Sequence, residues 1–133
     1  MVVDDLERHY KGRVLLVEDV PFNQIIAMDI LGDLGLEVEC ANNGVEAVEA
    51  FKRGEYDLIL MDLHMPEMNG FEAVEQIRQL ESVSQREKPT PIVAMTADVL
   101  AETRERVKVV GMNEYLSKPF DPTDLYKILD QFI

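Results

Sequence analysis

Short apolar runs alternate with amphipathic segments along nearly the whole chain. Arg13-Val14-Leu15-Leu16-Val17 is a run of β-type residues with the length of a buried strand. Pro21 suits the first turn of a helix, and Phe22, Ile26, Ile30 and Leu34 then recur every four positions with Ile25 beside them. That spacing predicts a helix with this apolar face, stopped at Gly35. Leu36 to Cys40 predicts a second strand. Asn43 and Glu46 form an N-cap and N3 pair for a helix that turns Ala47, Val48 and Phe51 inward. Asp57 to Met61 predicts a third strand. Asn69 and Glu72 repeat the capping pattern ahead of Phe71, Val74 and Ile77, and the polar stretch Glu81 to Thr90 reads as a surface loop. Pro91 to Met95 predicts a fourth strand, followed by a helix capped at Asp98 and ended by Gly111. Glu114 to Ser117 is a short fifth strand. Asp121 and Pro122 open a last helix with Leu125, Ile128, Leu129 and Phe132 inward.

Five strand–helix units in succession, with strands that are apolar throughout, imply an α/β fold: a doubly wound, five-stranded parallel sheet with helices on both faces. Residues 1–12 lack this periodicity and read as an N-terminal tail or linker, which leaves 13–133 as one domain.

Composition narrows the function. A net charge of −13 argues against a nucleic-acid surface, whose phosphates need Lys and Arg, and leaves cations and basic partners open. Cys40 is the sole cysteine, so an internal disulfide and a cysteine zinc site are both excluded, in keeping with a reducing compartment. No apolar run is long enough to span a bilayer, and the first residues do not have the basic-plus-apolar pattern expected of a leader. The expectation is a cytoplasmic chain without membrane insertion; a domain tethered to a membrane protein would read the same.

Each strand but the second is followed at once by a polar residue that a core would not select: Glu18 and Asp19, then Asp62, Thr96 and Lys118. In doubly wound sheets ligands bind at the carboxyl ends of strands, so the topology gathers three carboxylates, a hydroxyl and an ammonium in one crevice. Three close carboxylates repel one another, and a divalent cation with hard oxygen ligands relieves that. Magnesium fits such a set together with a phosphate, and a carboxylate can then act as nucleophile on phosphorus. Taken singly, Thr96 could simply end a strand, Lys118 could be a surface lysine and the acids could cap turns. The coincidence at four strand ends makes the combined alternative poor. His9 and His64 are isolated and make no metal site.

The segments Val17-Glu18-Asp19, Met61-Asp62-Leu63-His64-Met65-Pro66-Glu67-Met68-Asn69-Gly70, Met95-Thr96-Ala97 and Tyr115-Leu116-Ser117-Lys118-Pro119-Phe120 resemble the signatures of the receiver domains of two-component response regulators. Asn23-Gln24 and Gly111-Met112-Asn113-Glu114-Tyr115 are most similar to receivers of hybrid sensor histidine kinases. The resemblance implies a sheet order 2-1-3-4-5 and phosphorelay signalling, with Asp62 taking a phosphoryl group from a histidine kinase or histidine phosphotransfer protein. It implies a magnesium or manganese ion held by Asp19, Asp62 and the backbone carbonyl of His64, with Glu18 acting through water. Thr96 and Tyr115 would be switch residues, Lys118 would pair with the phosphate, and the Lys118–Pro119 bond would be cis. A protein partner, or a second copy in a phosphorylation-dependent dimer, is expected on the outward face of the last two helices and the fifth strand. One departure is Glu18, where many members have Asp.

Three other classes fit less well. A haloacid-dehalogenase-type phosphatase wants an acid where His64 stands. A flavin carrier wants a hydroxyl- and glycine-rich loop where Glu18-Asp19-Val20-Pro21 stands, and a P-loop enzyme wants a Gly-Lys-Ser/Thr motif that is missing. A binding module used without phosphorylation stays open.

Overall fold

A computed structural model describes residues 9–63, 69–84, 88–96, 101–117 and 122–133. Strands and helices alternate strictly along them: β1 (Arg13–Val17), α1 (Pro21–Asp33), β2 (Glu37–Ala41), α2 (Gly44–Arg53), β3 (Leu58–Asp62), α3 (Gly70–Ser84), β4 (Ile92–Thr96), α4 (Ala101–Val109), β5 (Glu114–Ser117) and α5 (Pro122–Phe132). All five strands are parallel, in the order β2-β1-β3-β4-β5. This is the doubly wound sheet that the sequence pattern and the family resemblance imply.

Alternate strand residues feed two cores. Leu15, Val17, Ile59, Met61, Ile92 and Ala94 pack under α2, α3 and the end of α4, while Val14, Leu16, Leu58, Leu60, Val93 and Met95 pack under α1 and α5. Burial on both faces is why these strands are apolar without a break. Each fully buried Leu or Ile contributes about 1.5–3 kcal/mol relative to exposure.

The boundaries follow the expected ones with informative shifts. β2, β3 and β4 end one residue later than their apolar runs, because the ladder continues through Ala41, Asp62 and Thr96. Asn43 Oδ1 accepts from the Glu46 amide at 2.8 Å and Asn69 Oδ1 from the Glu72 amide at 3.0 Å, as the capping patterns require. The caps expected at Asp98 and Asp121 lie outside the described residues.

Two expectations need correction. The Phe22-Ile26-Ile30-Leu34 row is inward only at its C-terminal end: Leu34 is buried with Ala27 and Leu31, and Ile30 packs against them, whereas Phe22 is 69% and Ile25 66% exposed. A row of fourth residues drifts about 40° per step around a helix of 3.6 residues per turn, so its two ends cannot share a narrow contact. The stretch from Glu81 is also not all surface loop. α3 runs to Ser84, and Glu81 is buried, with Oε1 2.6 Å from Arg78 Nη1 and Oε2 accepting from the Thr90 amide at 2.6 Å. Arg78 also donates to the carbonyls of Thr90 and Gly111, so this cluster ties α3 to the start of β4 and to the turn before β5.

Ahead of β1, the Tyr10 amide donates to the Leu34 carbonyl at 2.7 Å, and its hydroxyl donates to Asp130 Oδ1 of α5 at 2.7 Å.

Candidate functional site

The strand register sets the geometry of the crevice. Val17 pairs with Ala41 on one side and Met61 on the other, so Glu18 and Asp19 emerge level with Asp62. β1 leads outward to β2 while β3 and β4 lie on its other side, which makes the gap beyond β1 and β3 the topological switch point. There Glu18, Asp19 and Asp62 offer carboxylate oxygens that all lie within 4.8 Å of one another. Glu18 and Asp62 are buried and Asp19 is half-buried.

Each acid is placed by backbone ties. The Glu18 amide donates to the Ala41 carbonyl at 3.0 Å, and its Oε2 accepts from the Val20 amide at 3.2 Å. Beyond Asp62, the Leu63 amide donates to the Met95 carbonyl at 3.2 Å, and the Gly70 amide donates to the Leu63 carbonyl at 3.2 Å. The start of α3 therefore presses against the end of β3. A β-carbon at position 70 would run into the Asp62 carbonyl oxygen and the Leu63 α-carbon, so glycine is required for that approach.

Thr96 ends β4, beside β3, and is buried; it pairs with Ser117. Tyr115 lies on β5, half-buried against the α2–α3 core, with Arg104 Cζ 4.9 Å from its ring centroid. The structure thus brings Glu18, Asp19 and Asp62 together. His64, Lys118 and Pro119 lie outside the described residues.

Two features carried no signal in the pattern of apolar positions. One is the Arg78–Glu81 cluster, whose acid sat in a polar run. The other is the side chain of Gln24, which donates to the Glu18 carbonyl at 2.5 Å and to Asn42 Oδ1 at 2.7 Å.

Three oxygen acids converging in a small, largely buried space fit a hard divalent cation such as magnesium, because its charge offsets their repulsion and its coordination shell accepts one or two carboxylates plus water. Among the described residues no helix is long and apolar enough to cross a membrane.

Residues 14–130 match the family described as the response regulator receiver domain. The chain is 41% identical over 119 residues to the aerobic respiration control sensor protein ArcB of Escherichia coli K12, covering 90% of this chain and 15% of that protein. It is 45% identical over 120 residues to hybrid signal transduction histidine kinase B of Dictyostelium discoideum, covering 85% of this chain and 6% of that one. Among solved structures, it superimposes on a chain of the complex between the Saccharomyces cerevisiae histidine phosphotransfer signaling protein Ypd1 and the receiver domain of its downstream response regulator Ssk1. That match has a TM-score of 0.87 and 36% identity, over 95% of this chain and 91% of the other. It also superimposes on the receiver domain of sensor histidine kinase PA1611 from Pseudomonas aeruginosa, which holds a magnesium ion in its active-site cleft. Here the TM-score is 0.79 at 38% identity, over 92% of this chain and 98% of that one.

The chain belongs to the receiver-domain family of two-component signalling, and its curated relatives include hybrid histidine kinases, of which it spans only a small part.

Proposed function

We propose that this receiver accepts a phosphoryl group on Asp62 from a phosphohistidine, with a magnesium or manganese ion held by Asp19, Asp62 and the His64 carbonyl and steadied through water by Glu18. The observation that carries the reading is the gathering of Glu18, Asp19 and Asp62 within 4.8 Å at the switch point of the sheet. A bound cation would offset the negative charge of the acids and of the transferred group. The Asp62 carboxylate attacks phosphorus and forms the acyl-phosphate O–P bond. The P–N bond to the donor imidazole breaks, and its electron pair returns to the ring nitrogen. Lys118 pairs with a phosphate oxygen and Thr96 donates a hydrogen bond to another. Residues 13–133 serve as the receiver module and 1–12 as its lead-in.

The donor is a histidine phosphotransfer domain or a kinase, in keeping with the similarity to a receiver seen in complex with Ypd1. The exposed Phe22 and Ile25 on the first turns of α1 follow directly on Glu18 and Asp19, so they supply an apolar rim where such a donor would reach Asp62. Output is assigned to α4, β5 and α5, where a partner or a second phosphorylated copy would bind; between β5 and α5 a groove of about 310 Å³ is lined by Tyr115, Ser117, Asp124, Lys127 and others.

With magnesium and a small acyl-phosphate donor, mass measurement should show one added phosphoryl group that is labile to hydroxylamine. Asp62→Asn should gain none, and Asp19→Asn should need far more magnesium. Labelling of Asp62→Asn at the parental rate would overturn the assignment and leave the unphosphorylated binding module as the better reading.

A further inference from the structure

The side-chain amide of Gln24 joins two loops that strand pairing alone leaves independent. Its Nε2 lies 2.5 Å from the Glu18 carbonyl oxygen, in the loop between β1 and α1, and 2.7 Å from Asn42 Oδ1, in the loop between β2 and α2. Both neighbours are acceptors, so only the NH₂ end of the amide can serve them, and the orientation of Gln24 is fixed by chemistry. Asn42 is oriented in the same way. Its backbone amide and Nδ2 both donate to Glu46 Oε1, at 3.0 and 2.9 Å, which turns its oxygen toward Gln24. Glu46 is anchored in turn by the bond from its own amide to Asn43 Oδ1 at 2.8 Å. A chain of hydrogen bonds therefore links the Glu18 backbone to the Glu46 carboxylate: Gln24 donates to Glu18 and to Asn42, and Asn42 donates to Glu46.

At its end the chain fixes the peptide that carries the acidic pair. The Glu18 amide is held by Ala41, its carbonyl by Gln24, and its carboxylate by Val20. With its amide, carbonyl and carboxylate bound, neither Glu18 nor the peptide that joins it to Asp19 can swing away without breaking a hydrogen bond. The three carboxylates repel one another before any cation arrives, so a loop free to relax would spread them and lower the affinity for the ion.

We propose that Gln24 is a positioning residue for the cation site: through Asn42 and Glu46 it holds Glu18 and Asp19 at the spacing the ion needs. The proposal rests on the reading that these acids, with Asp62, bind magnesium. Partners of this kind, one step removed from the ligands, are worth on the order of 10-fold or more in metal affinity.

The test is calorimetric titration of magnesium chloride into the full chain and its Gln24→Leu, Asn42→Ala and doubly substituted variants, paired with amide hydrogen exchange without metal. Gln24→Leu should weaken magnesium binding about 10-fold. Asn42→Ala should weaken it less, and the double variant should be no worse than Gln24→Leu, because the two residues act in one chain. Without metal, amides of residues 18–20 should exchange faster in Gln24→Leu while those of β3 and β4 keep their protection. Because Asn42 is exposed, Asn42→Ala carries the test if Gln24→Leu folds poorly. Parental magnesium affinity in folded Gln24→Leu, strictly additive losses, or exchange raised throughout the sheet would each overturn the positioning role. A parental chain that fails to bind magnesium would instead overturn the metal reading beneath it.

Discussion

Tyr56 donates a hydrogen bond to Glu39 Oε2 at 2.9 Å, with the Arg13 guanidinium carbon 5.1 Å from its ring centroid. Burial, then the hydrogen bond and the charge of Glu39, push its pKa up to about 12, against the lowering pull of Arg13 and Arg53. An unfolded tyrosine ionises near pH ~10, so the folded chain holds a proton that the unfolded chain has lost. The stability Tyr56 contributes is thus fully present below about pH 10 and is lost as the pH rises toward 12. In an absorbance titration of the phenolate, Tyr56 should ionise late, and Tyr56→Phe should remove that late step. Ionisation of every tyrosine together near pH ~10 would show that Glu39 and burial have no hold on the proton. Cys40 follows the same logic on a smaller scale: burial raises the pKa of its thiol, which slows thiolate reactions.

At the scale of elements, α3 depends on the pair between Arg78 and the buried Glu81. Arg78→Leu should leave that carboxylate without its cation, and chemical denaturation should report a loss of about 3 kcal/mol. A loss under about 1 kcal/mol would mean that Glu81 reaches water in the variant. α1 predicts the reverse profile. Phe22→Ala with Ile25→Ala should shift stability by no more than about 0.5 kcal/mol and leave labelling by a small acyl phosphate intact. Transfer from a phosphorylated histidine phosphotransfer domain should slow, and equal transfer rates would remove α1 from the donor contact. These two elements also show how far the sequence could be read. Strand apolarity and the Asn43 and Asn69 caps made the element order legible, because they are local signals. The polar residues at the carboxyl ends of β1, β3 and β4 made the acid cluster legible, because parallel topology carries strand ends to one edge. The rotation of α1 was not legible, since a row of fourth residues does not say which of its members meets the sheet. Glu81 was not legible either, because its partner lies on the same helix but its burial depends on Thr90 and the turn at Gly111.

Over the whole molecule, the crevice and the groove beside β5 are linked through β4 and β5, where Thr96 pairs with Ser117 two residues beyond Tyr115. If Thr96 closes on the phosphorylated Asp62 and Tyr115 moves in response, chemistry and output must be separable. Phosphate would bias an existing equilibrium, and a coupling of about 1–3 kcal/mol is enough to shift it. Thr96→Ala and Tyr115→Ala should still accept the phosphoryl group while losing most of the phosphate-dependent change in partner affinity. Labelling, melting temperature and affinity measured on the same samples decide this, and full coupling in both variants would defeat the switch. Arg104, with its guanidinium carbon 4.9 Å from the Tyr115 ring centroid, adds a cation–π contact to the ring in its present place. The bond between Tyr10 and Asp130 has a different reach, because it sets residues from the two extremities of the fold side by side. A short peptide could join them, and new ends could be opened in the turn between α2 and β3, at the edge of the sheet opposite the acids. A permuted polypeptide of that kind would carry the same crevice on a rewired chain, and the domain could be spliced into a loop of a host protein as a single plug-in cassette.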